Sequence, residues 1–110
     1  MMPDKYCVVP FLRGGRDMNG YDCWGLFRLV FKELGGPALP LYGDVPPGHA
    51  ESEALAIRKA LKGKTWRAVE TPRRGDGVVM KIHRDGLLGR VANHIGIMID
   101  ERRMMHATPD

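Results

Sequence analysis

The sequence predicts an α+β domain with N-terminal helices packed on an antiparallel β-sheet. Apolar residues in the first half recur at three- and four-residue spacing, in Leu26, Phe27, Val30, Phe31 and Leu34 and again in Ala54, Leu55, Ile57, Ala60 and Leu61. That is the period of a helix with one buried face. The second half changes to short runs rich in Val, Ile and Met, separated by turn-forming sequences, which is the pattern of strands in a meander. With 110 residues, 44% of them apolar, the chain has the length of a single domain, 1–110, and a modest core.

Cys7 to Leu12 is apolar but interrupted by Pro10, so it reads as an extended lead-in rather than a central strand. Arg13 to Gly20 is a glycine-containing loop that delivers the chain to the first helix. Asp22 is a good N-cap for that helix, and Gly35-Gly36-Pro37 stops it. Pro37 to Gly48 is proline-rich and irregular, with Leu41 and Tyr42 available to pack on the core beside a cleft. Ala50 to Leu61 forms a second helix, stopped by Gly63. Strands are expected at Trp66–Glu70, Gly77–His83, Asn93–Asp100 and Arg102–Ala107. Asp100-Glu101-Arg102 closes a tight hairpin between the last two.

Cys23 falls in the first turn of the first helix. Unpaired backbone N–H groups and the positive end of the helix dipole favour thiolate there, which suits a nucleophile. The other reading of a lone cysteine is a small buried hydrophobe. A hairpin turning near Glu101 brings His94 and His106 to the same end of neighbouring strands. A thiol at a helix start, an imidazole on a sheet and a third polar group to orient it make a nucleophile, base and orienter set. Zinc is a rival use of Cys23, His94 and His106, but neither an HExxH nor a CxxC spacing accompanies them. His49 reads as a solvated loop or helix-start residue, and His83 as a surface residue at a strand end. No metal or other cofactor is expected.

Seventeen Lys and Arg against thirteen Asp and Glu give a net charge of +4, which suits an anionic polymer such as cell wall or nucleic acid. The excess is spread along the chain with no basic run interleaved with aromatics, which argues against nucleic acid as a partner. Two cysteines, Cys7 and Cys23, require no disulfide, and no apolar run is long enough for membrane insertion. Met1 to Lys5 lacks the apolar segment of an export signal, so synthesis in a bacterial cytoplasm is expected.

Five blocks in order complete the reading: Val9-Pro10-Phe11 with Gly14-Gly15, Gly20-Tyr21-Asp22-Cys23-Trp24-Gly25-Leu26, Pro72 with Gly75-Asp76, Asn93-His94-Ile95-Gly96-Ile97, and Met105-His106-Ala107. Together they resemble the NlpC-type cell-wall cysteine peptidases. The tryptophan after the cysteine and the Leu39-Pro40-Leu41-Tyr42 segment look most like the bacteriophage or prophage branch of that family.

The resemblance implies a papain-like fold and cleavage of peptidoglycan stem peptides, commonly between D-glutamate and diaminopimelate or lysine. By matching positions, Cys23 is the nucleophile, His94 the general base and acid, and His106 the orienting residue, with Asp22 and Trp24 toward the substrate. It implies stem peptides, and phage tail proteins, as partners, and action from a phage tail or virion at the cell wall. A catalytically silent tail-assembly module that keeps the fold is the alternative. Three features depart from the family pattern: Phe11 stands where tyrosine is usual, Trp24 where bacterial members often have serine, and four residues follow His106 where relatives continue into further strands. The expected sheet is therefore smaller, or cut short at its C-terminal end.

Overall fold

A computed structural model describes residues 3–41, 51–63, 66–82 and 93–108. In chain order these hold α1 (Asp4–Cys7), β1 (Arg16–Asp17), β2 (Gly20–Tyr21), α2 (Cys23–Glu33), α3 (Glu51–Lys62), β3 (Gly77–Met80), β4 (His94–Met98) and β5 (Met104–Met105). The arrangement is α+β, as the change of period predicts: helices precede a three-stranded antiparallel sheet of order β3-β4-β5. The expectations for Tyr42, for His49 and His83, and for the turn at 85–90 lie outside the described residues.

Helix α2 starts and stops where its sequence directs. Asp22, in extended conformation, caps α2 by accepting a hydrogen bond from the Gly25 N–H at 2.9 Å. At the other end Gly35 takes a positive φ of 100°, the Gly35 N–H bonds to the Lys32 carbonyl and the Gly36 N–H to the Phe31 carbonyl. This left-handed termination is one a residue with a Cβ would resist. Between the caps, Leu26, Phe27 and Val30 are buried, with Phe31 and Leu34 packed at the edge of the core. Each of the three buried side chains contributes roughly 1.5–3 kcal/mol. Phe27 is the hub: its ring stacks between Trp24 and Phe31 at 5.6 Å each, and Trp66 packs edge-on to it at 5.9 Å.

The buried side of α3 is Ala54, Ala56, Ile57 and Ala60, whereas Leu61, expected in the core, is half exposed. This side of α3 packs against α2 and β4. All five residues of β4 are buried, with β3 and β5 paired on its two sides. The expected strand at Trp66–Glu70 is absent. Only Trp66 is anchored, against Phe27 and Phe31, and Arg67 to Glu70 are all exposed, so no alternating buried face exists to hold a ladder.

The lead-in also differs from expectation. Cys7 closes the short helix α1 rather than opening an extended run, and the extended part begins near Pro10. From there Tyr21 N–H bonds to the Pro10 carbonyl and Leu12 N–H to the Tyr21 carbonyl, while β1 and β2 pair as a two-residue hairpin inside the expected loop.

Candidate functional site

Cys23 opens α2, and α2 packs directly on β4, the strand that opens with His94. Cys23 is fully buried and His94 is 2% exposed. The loop ahead of Cys23 is seated tightly on the first turn. A Cβ at Gly25 would lie 2.5 Å from the Gly15 carbonyl oxygen and 2.8 Å from the Tyr21 Cβ, so only glycine permits the approach. The Asp22 N–H bonds to that same Gly15 carbonyl.

Asp22 joins loop and helix through its side chain as well. Its Oδ1 takes the Gly25 N–H, and its Oδ2 takes the Gly14 N–H at 3.1 Å and a charge-assisted bond from Arg16 Nη1. The carboxylate is wholly buried and the Arg16 side chain is 10% exposed. Both oxygens are therefore engaged by the chain itself. Trp24, the other residue expected to face substrate, is a core ring. It is 1% exposed, one surface lines a cavity of about 540 Å³, and its Nε1–H donates to the Pro40 carbonyl at 3.0 Å.

The two histidines meet. His94 Nε2 lies 2.9 Å from His106 Nδ1, with the rings nearly perpendicular at 81°. Register explains this. Ile97 pairs with Met105 and Met98 with Met104, so continuing the ladder sets His106 opposite Gly96, two residues along β4 from His94. Side chains two apart share a face, which makes the histidines diagonal neighbours. The hairpin that sets the register is tied by Asp100, whose Oδ1 accepts the Arg102 and Arg103 N–H groups at 2.8 Å each.

Asn93 fixes the other side of His94. Buried at 1% exposure, its amide accepts the Ile82 N–H at 2.9 Å and donates to the Ile82 carbonyl at 3.0 Å, while its own N–H bonds to Met80. The side chain thereby prolongs the β3–β4 ladder past its last regular pair. Its position beside His94 in the sequence was visible, but its role was not, because a side-chain ladder leaves no periodicity. Arg16 was missed for a similar reason: nothing in the sequence marks an arginine six residues before an aspartate as its partner.

His106 is exposed and lines a second cavity of about 480 Å³ with Tyr6, Cys7, Phe11 and Tyr21. Burial pushes the Tyr21 phenol up to about 12, with Cys7 and Tyr6 adding to it, and burial likewise pushes Tyr6 up to about 12. Both phenols stay neutral, and the Tyr21 hydroxyl donates to the Tyr6 carbonyl. Both cysteines are free thiols, Cys7 exposed and Cys23 buried. Among the described residues, no three His, Cys, Asp or Glu side chains are grouped to hold a metal, and no helix is long and apolar enough to cross a membrane.

The described residues thus combine helices and a small antiparallel sheet, with a cysteine at a helix start and two histidines in contact on the sheet. The chain belongs to the NlpC/P60 family, whose sequence pattern it matches over residues 8–110. Members of that family are generally cysteine peptidases that act on peptidoglycan of the cell wall. No curated protein and no solved structure matches the chain.

Proposed function

We propose that this protein is a papain-like cysteine endopeptidase that cleaves peptidoglycan stem peptides, at the bond between D-glutamate and diaminopimelate or lysine. The observation that carries the reading is the 2.9 Å contact between His94 Nε2 and His106 Nδ1, on a strand packed against the helix that opens with Cys23. In the reactive tautomer His94 Nε2–H donates to the Nδ1 lone pair of a neutral His106, which leaves His94 Nδ1 to accept the thiol proton. The Cys23 thiolate then attacks the amide carbonyl carbon. The Cys23 backbone N–H, at the first helical position, is the candidate donor to the oxyanion. His94 returns its proton to the leaving amine, and a water molecule, deprotonated by His94, hydrolyses the thioester.

In this reading Asp22 organises the nucleophile's turn, because its oxygens already serve Gly14, Arg16 and Gly25. The tryptophan after the cysteine and the Leu39-Pro40-Leu41-Tyr42 segment support a phage or prophage protein acting from a tail at the cell wall. One observation favours a second reading, the silent tail-assembly module: Cys23 has no exposed surface. Digestion of muropeptides with detection of new amino termini separates the two. The peptidase reading expects cleavage by wild type and none by Cys23→Ala; identical product patterns from both contradict it.

A further inference from the structure

The cavity of about 480 Å³ that His106 borders lies against both halves of the proposed catalytic set. Tyr21 and Leu26, which line it, flank Cys23, and Leu26 shares the Cys23 side of α2 because it stands three residues further on. Met105 and Ala107, on either side of His106 in the chain, line it too. The larger cavity, by contrast, is bordered by neither histidine.

Much of its wall is apolar, and among the described residues that line it none is Asp, Glu, Lys or Arg. Its two phenols, Tyr6 and Tyr21, are neutral. His106 Nδ1 is taken by His94 Nε2, and among the described residues the ring makes no other hydrogen bond. The two nitrogens of an imidazole point away from each other, so Nε2 faces the exposed side of the ring, where it borders the cavity. When Nδ1 accepts from His94, the proton of a neutral His106 sits on Nε2. The cavity thus presents an N–H donor within largely apolar walls, the composition of a site that orients a ligand through an acceptor. A carboxylate is paired best by an imidazolium, but an imidazolium carries N–H at Nδ1 as well and can no longer accept from His94. The tautomer that lets His94 take the thiol proton therefore matches an uncharged acceptor.

Resting on the peptidase reading above, we propose that this cavity is the subsite for the glutamyl residue of the stem peptide, and that His106 Nε2–H selects the form whose free carboxyl is amidated. That residue supplies the acyl carbon that bonds to Cys23, so its other carboxyl lies within a few bonds of the nucleophile, beside the cavity that Tyr21 and Leu26 border. An amide carbonyl accepts from Nε2–H and leaves the His94–His106 contact in its working tautomer. A carboxylate enters the same walls with no Lys or Arg among the described lining to pair it. One nitrogen of His106 orients His94, and the other chooses the substrate.

Wild type, given matched stem peptides that differ only in amidation of the glutamyl carboxyl, is expected to cleave the amidated one with kcat/KM at least about tenfold higher, most of it in KM. His106→Asn tests the assignment to Nε2, because the asparagine Oδ1 stands near the place of Nδ1 and can accept from His94, whereas no atom replaces Nε2. The preference should then fall to within about twofold. A His106 that only orients His94 would not give this, since both peptides would slow alike. Where that variant does not fold, Cys7 serves as the reporter, since its exposed thiol lines the cavity. In Cys23→Ala, saturating amidated peptide should slow iodoacetamide labelling of Cys7 at least about fivefold, and the free-acid peptide at the same concentration less than about twofold. Equal kcat/KM for the two peptides on wild type, a preference kept by His106→Asn, or Cys7 labelling unaffected by the amidated peptide overturns the proposal, while wild-type cleavage leaves the peptidase reading intact. Wild type that cleaves neither peptide beyond Cys23→Ala overturns both.

Discussion

Asp22 and Asp100 are wired almost alike. Each accepts two backbone N–H groups from residues close in sequence or space, and each pairs with an arginine, Arg16 in one case and Arg103 in the other. What separates them is water: the Asp22 side chain is wholly buried, whereas that of Asp100 is 42% exposed and that of Arg103 is 68% exposed. A buried carboxylate has exchanged its hydration for these bonds and cannot lose one cheaply; an exposed carboxylate regains water. One bond pattern thus fixes the turn that carries Cys23 and elsewhere only shapes a surface hairpin.

The strongest way to break that comparison is Asp22→Ala. It leaves the Arg16 charge facing a buried gap and the helix uncapped, and should cost about 3–5 kcal/mol, read as a lowered urea midpoint. Arg16→Met should come next, at about 3 kcal/mol, since it strands the carboxylate instead. A loss below about 1 kcal/mol for either would place Asp22 with Asp100.

Tyr21 sharpens the comparison with a buried group whose partner is neutral. Tyr21→Phe removes the bond to the Tyr6 carbonyl and should cost about 1 kcal/mol at neutral pH. Because burial raises Tyr21 from 10.0 to about 12, the folded state favours the neutral phenol. Its stabilising effect is whole below pH 10 and is lost as the pH rises toward about 12. Equilibrium unfolding of wild type should weaken through that window, and the variant should weaken less.

Asp100→Ala should have the smallest effect, with no resolvable change in urea midpoint at pH 7. The Arg102 N–H, with Arg103 beside it, holds this carboxyl below its usual range. Its small contribution is therefore present above about pH 4 and fades as the pH falls below that. A clear loss at pH 7 would show that exposure does not decide between the two aspartates.

The same contrast governs what could be read from the sequence. The α2 helix was legible from end to end because a cap preference, a 3.6-residue period and a glycine stop all agree at Asp22, Leu26–Val30 and Gly35. The meeting of His94 with His106 was legible because a two-residue period on both sides of a short turn conserves the shared face. The α1 helix was overlooked although Pro3 followed by Asp4 is a helix-start signal. The Trp66–Glu70 strand was over-read because β-forming residues were counted without a partner strand to pair them. The bonds from Arg16 to the Leu41 carbonyl, from Trp24 to the Pro40 carbonyl and from Arg28 to the Leu39 carbonyl were invisible. They join side chains to carbonyls far along the chain, and such bonds leave no pattern in residue order.

Proton transfer from Cys23 to His94, as proposed, is read in the pH dependence of Cys23 alkylation. In a Cys7→Ser background, iodoacetamide labelling of Cys23 should be rapid at mildly acidic pH. In His94→Gln it should become slow and rise only toward the range of an ordinary thiol, about pH 8.5. Superimposable profiles for the two proteins would show that His94 does not activate Cys23.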